Sequence, residues 1–438
     1  MGIFVIIMVL IFEIAFMVYC IKTKDYQNKA KSWVRIAAFI IFIGLTLTSI
    51  IDWSFQWYLL GLLLFILAII GGFRLFRNKF GEKPYKRWRV VLRGILMVLI
   101  FTFVTIPAIL FPQYEEPEMT GEYEVKTSTY SFTDTNRIET FTNTGENRKL
   151  TVQFWYPEIT DEKYPLIVFS HGAFGVKMSN TSTFMELASN GYVVCSIDHP
   201  YHAAGTIDTD RNLTIGSNKF MQEVINANSD IYSEKEQFEL YENWMKLRTE
   251  DINFVIDTVL KNTEDRRAEV YGLIDRNKIG LMGHSLGGAA SSQLGRDRDD
   301  ISAVINIDGS MLGEYSISNN EDIVINNEPY PLPLLNFYSE YVINELIADP
   351  EYVYPNKYIS SISLNAFEVC IKGSNHMSYT DLPLFSPFLA SQLSGISGGS
   401  SKANVDKYYC IETMNNLVLE FFDCYVKGKG SFLVEEFY

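Results

Sequence analysis

Lys278-Ile279-Gly280-Leu281-Met282-Gly283-His284-Ser285-Leu286-Gly287-Gly288-Ala289-Ala290-Ser291-Ser292-Gln293-Leu294 decides the fold. The first five residues form a short apolar run of the strand type. The last six are small or apolar and continue as a helix. Between them lies Gly-x-Ser-x-Gly, which needs a strand, a tight turn and a helix in that order. The glycines have a physical reason, since side chains at 283 and 287 would collide with neighbouring backbone on so sharp a turn. Small residues at 288–290 let the helix sit close to the sheet. Ser285 is therefore the expected nucleophile, with the positive end of a helix behind it.

A serine hydroxyl attacks only when a base takes its proton. The chain holds five histidines, at 171, 199, 202, 284 and 376. In this kind of fold the order is Ser, acid, His, and only His376 follows Ser285. It lies in a loop, Lys372–Asn375, after the strand-like run Phe367–Ile371. Three acids compete to orient it. Asp308 ends the run Ile301–Ile307 and is favoured. Glu340, just past Pro333–Phe337, is the alternative acid, and Asp381 is a weaker third. The oxyanion hole needs two N–H donors. Leu286, next to the nucleophile, supplies one. The loop after the run Pro165–Ser170 supplies the other, and Ala173 is the candidate there.

Working outward, strand-like and helix-like runs alternate from Leu150 to Val426, with expected strands at Leu150–Tyr156 and Gly191–Ile197 and a closing helix at Val405–Val426. Such alternation argues for an α/β fold, a mostly parallel sheet with helices on both faces. Asn212–Asn243 fits no strand, so a lid or insertion is expected at about 206–245. Asp198-His199-Pro200-Tyr201-His202 has the look of a metal pair, but two ligands are too few. It is read as cleft wall. The five cysteines show no Cys-x-x-Cys and call for no zinc site and no disulfide framework. The triad chemistry requires no metal or cofactor.

Charge divides the chain. The first 112 residues carry thirteen Lys and Arg but only four acids, which leaves 24 basic and 48 acidic residues after Pro112. So acidic a domain would repel phosphate, which excludes nucleic acid as a partner. The basic part contains four apolar runs, Ile3–Ile21, Val34–Ile51, Trp57–Phe73 and Val90–Phe111. Each approaches the ~20 residues that cross a bilayer as a helix, so about four transmembrane helices are expected. The connections after the first and third runs are rich in Lys and Arg, including Lys79 and Lys83, whereas Asp52–Gln56 has none. The bias of short loops then keeps the basic ones in the cytoplasm and exports everything after Pro112, at the plasma membrane. Glu13, inside the first run, is expected against a neighbouring helix. The domains are thus 1–112 in the membrane, 113–148 as linker and edge segment, and 149–438 as the catalytic domain.

Taken together, Phe169-Ser170-His171-Gly172, Ile197-Asp198-His199, Gly283–Ala289, Ile305-Asn306-Ile307-Asp308 and Gly373-Ser374-Asn375-His376 resemble the platelet-activating-factor acetylhydrolase-like enzymes of the α/β-hydrolase superfamily. The resemblance spans residues ~150–390 and excludes the apolar region. It implies Asp308 as the acid and Leu286 and Ala173 as oxyanion donors. The family often has another glycine two positions after His-Gly, where this chain reads Ala173-Phe174-Gly175. Bacterial polyester hydrolases and dienelactone-hydrolase-like esterases look similar and would favour Glu340. The expected function is a membrane-anchored carboxylic ester hydrolase acting on a small-molecule or lipid ester, with short acyl chains of phospholipids implied by the resemblance. The rivals are an acyltransferase with the same triad, and a membrane sensor whose hydrolase-like domain only binds. Oligomeric state is not legible.

Overall fold

The computed structural model describes the whole chain except residues 1, 78–83, 159–161, 230, 266–267, 319–321 and 397–401. Lys79 and Lys83 of the expected basic loop lie outside the described residues. The chain divides into two compact units, 1–115 with 385–389, and 116–384 with 390–438.

The first unit holds helices α1 (Gly2–Thr23), α2 (Asn28–Leu47), α3 (Phe55–Arg77) and α4 (Arg87–Leu110). Among the described residues three helices, α2, α3 and α4, are long and apolar enough to cross a membrane, rather than the four expected. The first expected span falls on α1, where the side chains of 2–6 and 9 lie outside the described residues. Phe42, Trp57, Leu60, Leu64 and Phe101 form a shared interior, while Ile40, Ile41, Phe73, Leu99 and Phe103 are exposed on the outside. Such an apolar exterior suits hydrocarbon, and in water it would be a large exposed patch. One boundary differs from the sequence reading: α2 starts at Asn28, so Lys29, Lys31 and Arg35 belong to the helix and not to a loop. Glu13 is buried, with its carboxylate 3.8 Å from Lys31 Nζ on α2.

The second unit is built on an eight-stranded sheet. Its strands are β1 (Val125–Ile138), β2 (Asn147–Pro157), β3 (Tyr164–Ser170), β4 (Val193–Asp198), β5 (Ile274–His284), β6 (Ala303–Ile307), β7 (Leu334–Ser339) and β8 (Ala366–Ile371). They lie in the order β1-β2-β4-β3-β5-β6-β7-β8. β1 and β2 form an antiparallel edge, and β2 also runs antiparallel to β4. The remaining six are mutually parallel. This is the α/β-hydrolase fold. The expected linker 113–148 contributes its middle to the sheet as β1 and its last two residues to the start of β2. β3, β6, β7 and the second half of β5, from Ile279 to His284, are uniformly buried, as strands covered on both faces must be.

One face packs under Ile252, Val255, Ile256 and Val259 of a long helix, Glu234–Asp265, and under the helix Leu286–Asp297. The other packs under Phe184 and Leu187 of Thr181–Ser189 and Met414, Val418 and Phe421 of Lys407–Phe422. The expected insertion comprises a ribbon (Gly205–Ile207 with Leu213–Ile215), the helix Asn218–Ala227 and the first turns of Glu234–Asp265. Register places the site. Ser170 pairs with Gly283, and His284 with Ile307, so β3, β5 and β6 end at one level. Their following loops emerge together at the carboxyl edge, where open α/β sheets bind their ligands.

Candidate active site

Ser285 caps β5 with φ 55° and ψ −126°, a positive φ in a residue with a Cβ. Such conformers cost on the order of 1–3 kcal/mol and persist only where packing holds them. Here the hold is close. A Cβ on Gly283 would strike the Gly287 carbonyl, and one on Gly287 would strike the Ser170 carbonyl. The Ser285 N–H donates to the Ile307 carbonyl at 2.8 Å, tying the elbow to β6. The helix Leu286–Asp297 begins at the next residue, so the Leu286 N–H is one of the first-turn donors with no acceptor inside the helix.

Asp308 and His376 meet at the same edge. Asp308 Oδ2 lies 2.7 Å from His376 Nδ1. Its other oxygen accepts from the Ser339 N–H at 2.6 Å. Burial pushes the Asp308 carboxyl up, but the hydrogen bond and charge of His376, with the Ser339 N–H, hold it below the usual range. The His376 backbone is held too. His284, immediately before Ser285, donates Nε2–H to the His376 carbonyl at 2.9 Å, and the two rings are 4.5 Å apart. Burial, and then His376 nearby, lower the His284 pKa to about 3, so it stays neutral. Asn375 caps the single turn that carries His376, and Tyr379 anchors that turn through the Tyr338 carbonyl at 2.8 Å.

Neither of the other candidate acids bonds His376 among the described residues. Glu340 opens the helix Glu340–Ala348, and among the described residues its carboxylate has no hydrogen bond or ion pair. Asp381 is half-buried and accepts from the Ser182 N–H at 2.8 Å and from the Ser182 hydroxyl. Burial lifts its pKa to about 6.

The candidate oxyanion loop follows β3. A Cβ on Gly172 would come 3.0 Å from Ser285 Cβ, so His171-Gly172-Ala173 lies directly against the elbow. Phe174, at φ 58°, turns the chain away and donates its N–H to the His202 carbonyl at 2.9 Å. Ala173 N–H has no acceptor among the described residues.

Behind this loop lies a polar network that the sequence reading missed. Asp198, His199 and His202, read as cleft wall, are instead buried, at 0–2% exposure. Ser170 Oγ is 2.9 Å from His199 Nε2, and His199 Nδ1 is 2.9 Å from Asp251 Oδ2. This is a second Ser-His-Asp chain, but one enclosed by protein. Arg148 grips Asp251 through two 2.7 Å bonds, and Arg137 reaches it at 2.9 Å. Arg248, wholly buried, bonds the His171 carbonyl at 2.9 Å, the Gly172 carbonyl at 3.3 Å and His202 Nδ1 at 3.2 Å. Burial, and then the Arg248 charge, lower the His199 pKa to about 3. One signal in the sequence pointed here. Met245, Arg248, Ile252, Val255 and Val259 form a single helical stripe, and Arg248 is a cation on its core side.

The geometry is that of a serine elbow, a buried carboxylate–imidazole pair beside it and a loop with a free N–H against it. Similar proteins agree with that reading of the fold. A model of the family described as platelet-activating factor acetylhydrolase, isoform II, matches residues 141–432. The platelet-activating factor acetylhydrolase of Canis lupus familiaris is 27% identical over 277 residues, covering 60% of this chain and 58% of its own. A probable 1-alkyl-2-acetylglycerophosphocholine esterase of Arthroderma benhamiae is 29% identical over 152 residues, 34% of this chain and 32% of its own. The chain thus spans less than two thirds of the length of these curated relatives. Among solved structures, a ferulic acid esterase from Streptomyces cinnamoneus shares the fold, with a TM-score of 0.53 and 20% identity, over 73% of this chain and 94% of its own. With the family model covering the elbow, the acid and the histidine together, the chain belongs to the platelet-activating factor acetylhydrolase isoform II family.

Proposed function

We propose that this protein is a membrane-anchored serine hydrolase that cleaves carboxylic esters, acting on short acyl chains of glycerophospholipids. One observation carries the reading: a buried carboxylate, Asp308, holds His376 at 2.7 Å beside the strained Ser285 elbow. In the proposed reaction Ser285 Oγ attacks the ester carbonyl while its proton passes to His376 Nε2. Asp308 keeps the opposite nitrogen protonated and stabilises the imidazolium. The N–H groups of Leu286 and Ala173 receive the oxyanion. The proton then passes from His376 to the leaving alcohol. Water, deprotonated by the same histidine, releases the acyl group from Ser285. The relatives named above, acetylhydrolases and an alkyl-acetyl-glycerophosphocholine esterase, support a phospholipid ester as substrate. The apolar helices α2–α4 support residence in a membrane, where such lipids are concentrated.

The basic residues flanking α1–α2 and α3–α4, against none in Asp52–Gln56, support a catalytic unit on the extracytoplasmic side of the plasma membrane. Treating intact cells with protease tests this. Cleavage of the catalytic unit is expected, and its full protection would reverse the orientation. For the activity, the full chain in detergent is treated with a fluorophosphonate and assayed on esters of graded acyl length. Labelling is expected in the wild type and not in Ser285→Ala, with hydrolysis fastest for acetyl and other short chains. An unlabelled wild type would sink the enzymatic reading.

A further inference from the structure

A buried arginine without a carboxylate of its own is expensive, because the guanidinium loses its hydration. Arg248 is 0% exposed, yet its nitrogens spread over neutral acceptors: the carbonyls of His171 and Gly172, Ser170 Oγ at 3.4 Å and His202 Nδ1. Its compensating charge, Asp251, stands one helical turn on and is itself shared by Arg148, Arg137 and His199. An arrangement costing this much for core packing alone would be poorly repaid, since apolar residues of the same volume are often as stable or more so. Two of the four acceptors that Arg248 does bond are the carbonyls of the loop that faces Ser285.

The chemistry of the peptide bond explains that choice. The carbonyl of Gly172 and the N–H of Ala173 belong to one planar trans unit, so they point to opposite sides. Whatever fixes the Gly172 oxygen therefore aims the Ala173 N–H. Three donors converge on that oxygen: Arg248 Nη2 at 3.3 Å, His171 Nδ1 at 2.6 Å and the Gly175 N–H at 3.1 Å. The Ala173 N–H, on the far side, has no acceptor among the described residues. The network also fixes which way each proton points. Asp251 is held as a carboxylate, so His199 donates Nδ1–H to it. His199 Nε2 then accepts from the Ser170 hydroxyl, which leaves Ser170 Oγ free to accept from Arg248. His171 accepts the His199 N–H at its Nε2, at 3.2 Å, and so donates from Nδ1 to Gly172.

We infer that Arg248 is a positioning residue of the oxyanion hole: it clamps the His171 and Gly172 carbonyls, turns the Ala173 N–H toward the Ser285 side, and polarises that peptide with a buried positive charge. The Ser170–His199–Asp251 chain holds the clamp in place. This rests on the reading of Ala173 as an oxyanion donor, and it adds a residue from the insertion-bearing helix, 37 positions before Ser285 and in no contact with the reacting atoms.

The test uses the full chain in detergent, with active sites counted by fluorophosphonate end point. Arg248→Gln is expected to lower kcat per active site by about 30- to 100-fold with KM within about twofold, the scale of a misdirected oxyanion donor. A trifluoromethyl ketone, which forms an oxyanion on Ser285, should lose affinity by the same factor. A non-hydrolysable ether analogue of the ester, which forms none, should bind as before. Arg248→Lys keeps a buried cation, and with it the fold, but cannot fork onto two carbonyls; an intermediate loss with the same ketone-to-ether contrast is expected. An unchanged kcat per active site in both variants, or equal loss of ketone and ether binding, would overturn the inference. A wild type that hydrolyses ester but ignores the ketone would overturn the oxyanion assignment beneath it, and a wild type that never labels would remove the enzymatic reading itself.

Discussion

Asp308 Oδ2 and His376 Nδ1 are 2.7 Å apart across 68 residues of chain, joined at the carboxyl edge of a parallel sheet. Asp308 adopts φ 51°, a left-handed conformation at the end of β6, while its carboxylate meets the imidazole of the loop after β8. A short polar side chain tolerates that conformation better than most.

The first prediction separates the two acids. Asp308→Asn keeps the shape but presents an amide where His376 needs an acceptor, so the tautomer is wrong. A loss of kcat of roughly 10³- to 10⁴-fold is expected, with KM little changed. Glu340→Gln should stay within about twofold. Steady-state kinetics on one short-chain ester decides, and the reverse ranking would move the acid to Glu340.

The second concerns His284, which donates to the His376 carbonyl at 2.9 Å. His284→Ala removes that bond and leaves space beside the catalytic loop. A roughly tenfold fall in kcat is expected, since small misplacements of a general base are costly. Fluorophosphonate labelling rates on the variant provide the check; a rate equal to wild type would show that the loop needs no such support.

The third is structural. Gly287→Ala would drive a methyl into the Ser170 carbonyl, where backbone meets backbone and neither gives way. Destabilisation of about 3 kcal/mol or more is expected, at the upper end for a single substitution. Chemical denaturation of the full chain reads it directly, and a shift within 1 kcal/mol would contradict the packing described for the elbow.

The fourth follows from four histidines buried neutral. Burial lowers the pKa of His199 and His284 to about 3, and holds His171 and His202 well below the ordinary value. A lowered pKa in the folded state means the unfolded chain takes up the proton first. Stability is therefore intact above ~6.5, the unfolded histidine value, and falls as the pH drops below it. Each group should cost about 1.4 kcal/mol at pH 5.5. Denaturation midpoints at pH 7.5, 6.5 and 5.5 test this. A curve flat down to pH 5.5 would mean these histidines are charged in the folded protein.

The parts of this site that a reader of the sequence finds are those set by neighbours in the chain. Gly283, Ser285 and Gly287 are two residues apart, and only glycine permits the backbone approach that the elbow demands. His376 was legible because it alone follows the serine. The order of strands and helices was legible from apolar runs of the right length, whereas β1 lies in the polar stretch 113–148 that was read only as a linker and edge segment. Its outer face is half solvated, so its apolar residues do not form a run.

By itself, then, the sequence determined the kind of fold and the apolar character of the first hundred residues, because both rest on periodicity, and it singled out Ser285 by local stereochemistry and His376 by chain order as the proposed nucleophile and base. The tertiary structure alone decided which carboxylate meets His376, and it showed the network of Arg148, Asp251, His199 and Arg248 behind the oxyanion loop. Those residues come from β2, the β4 end and the long helix, separated by up to 103 positions at the Arg148–Asp251 bond. A charge on an apolar stripe declares that it will be buried. Its partners are chosen only when the sheet closes and the cost of desolvation has to be met by whatever lies within reach.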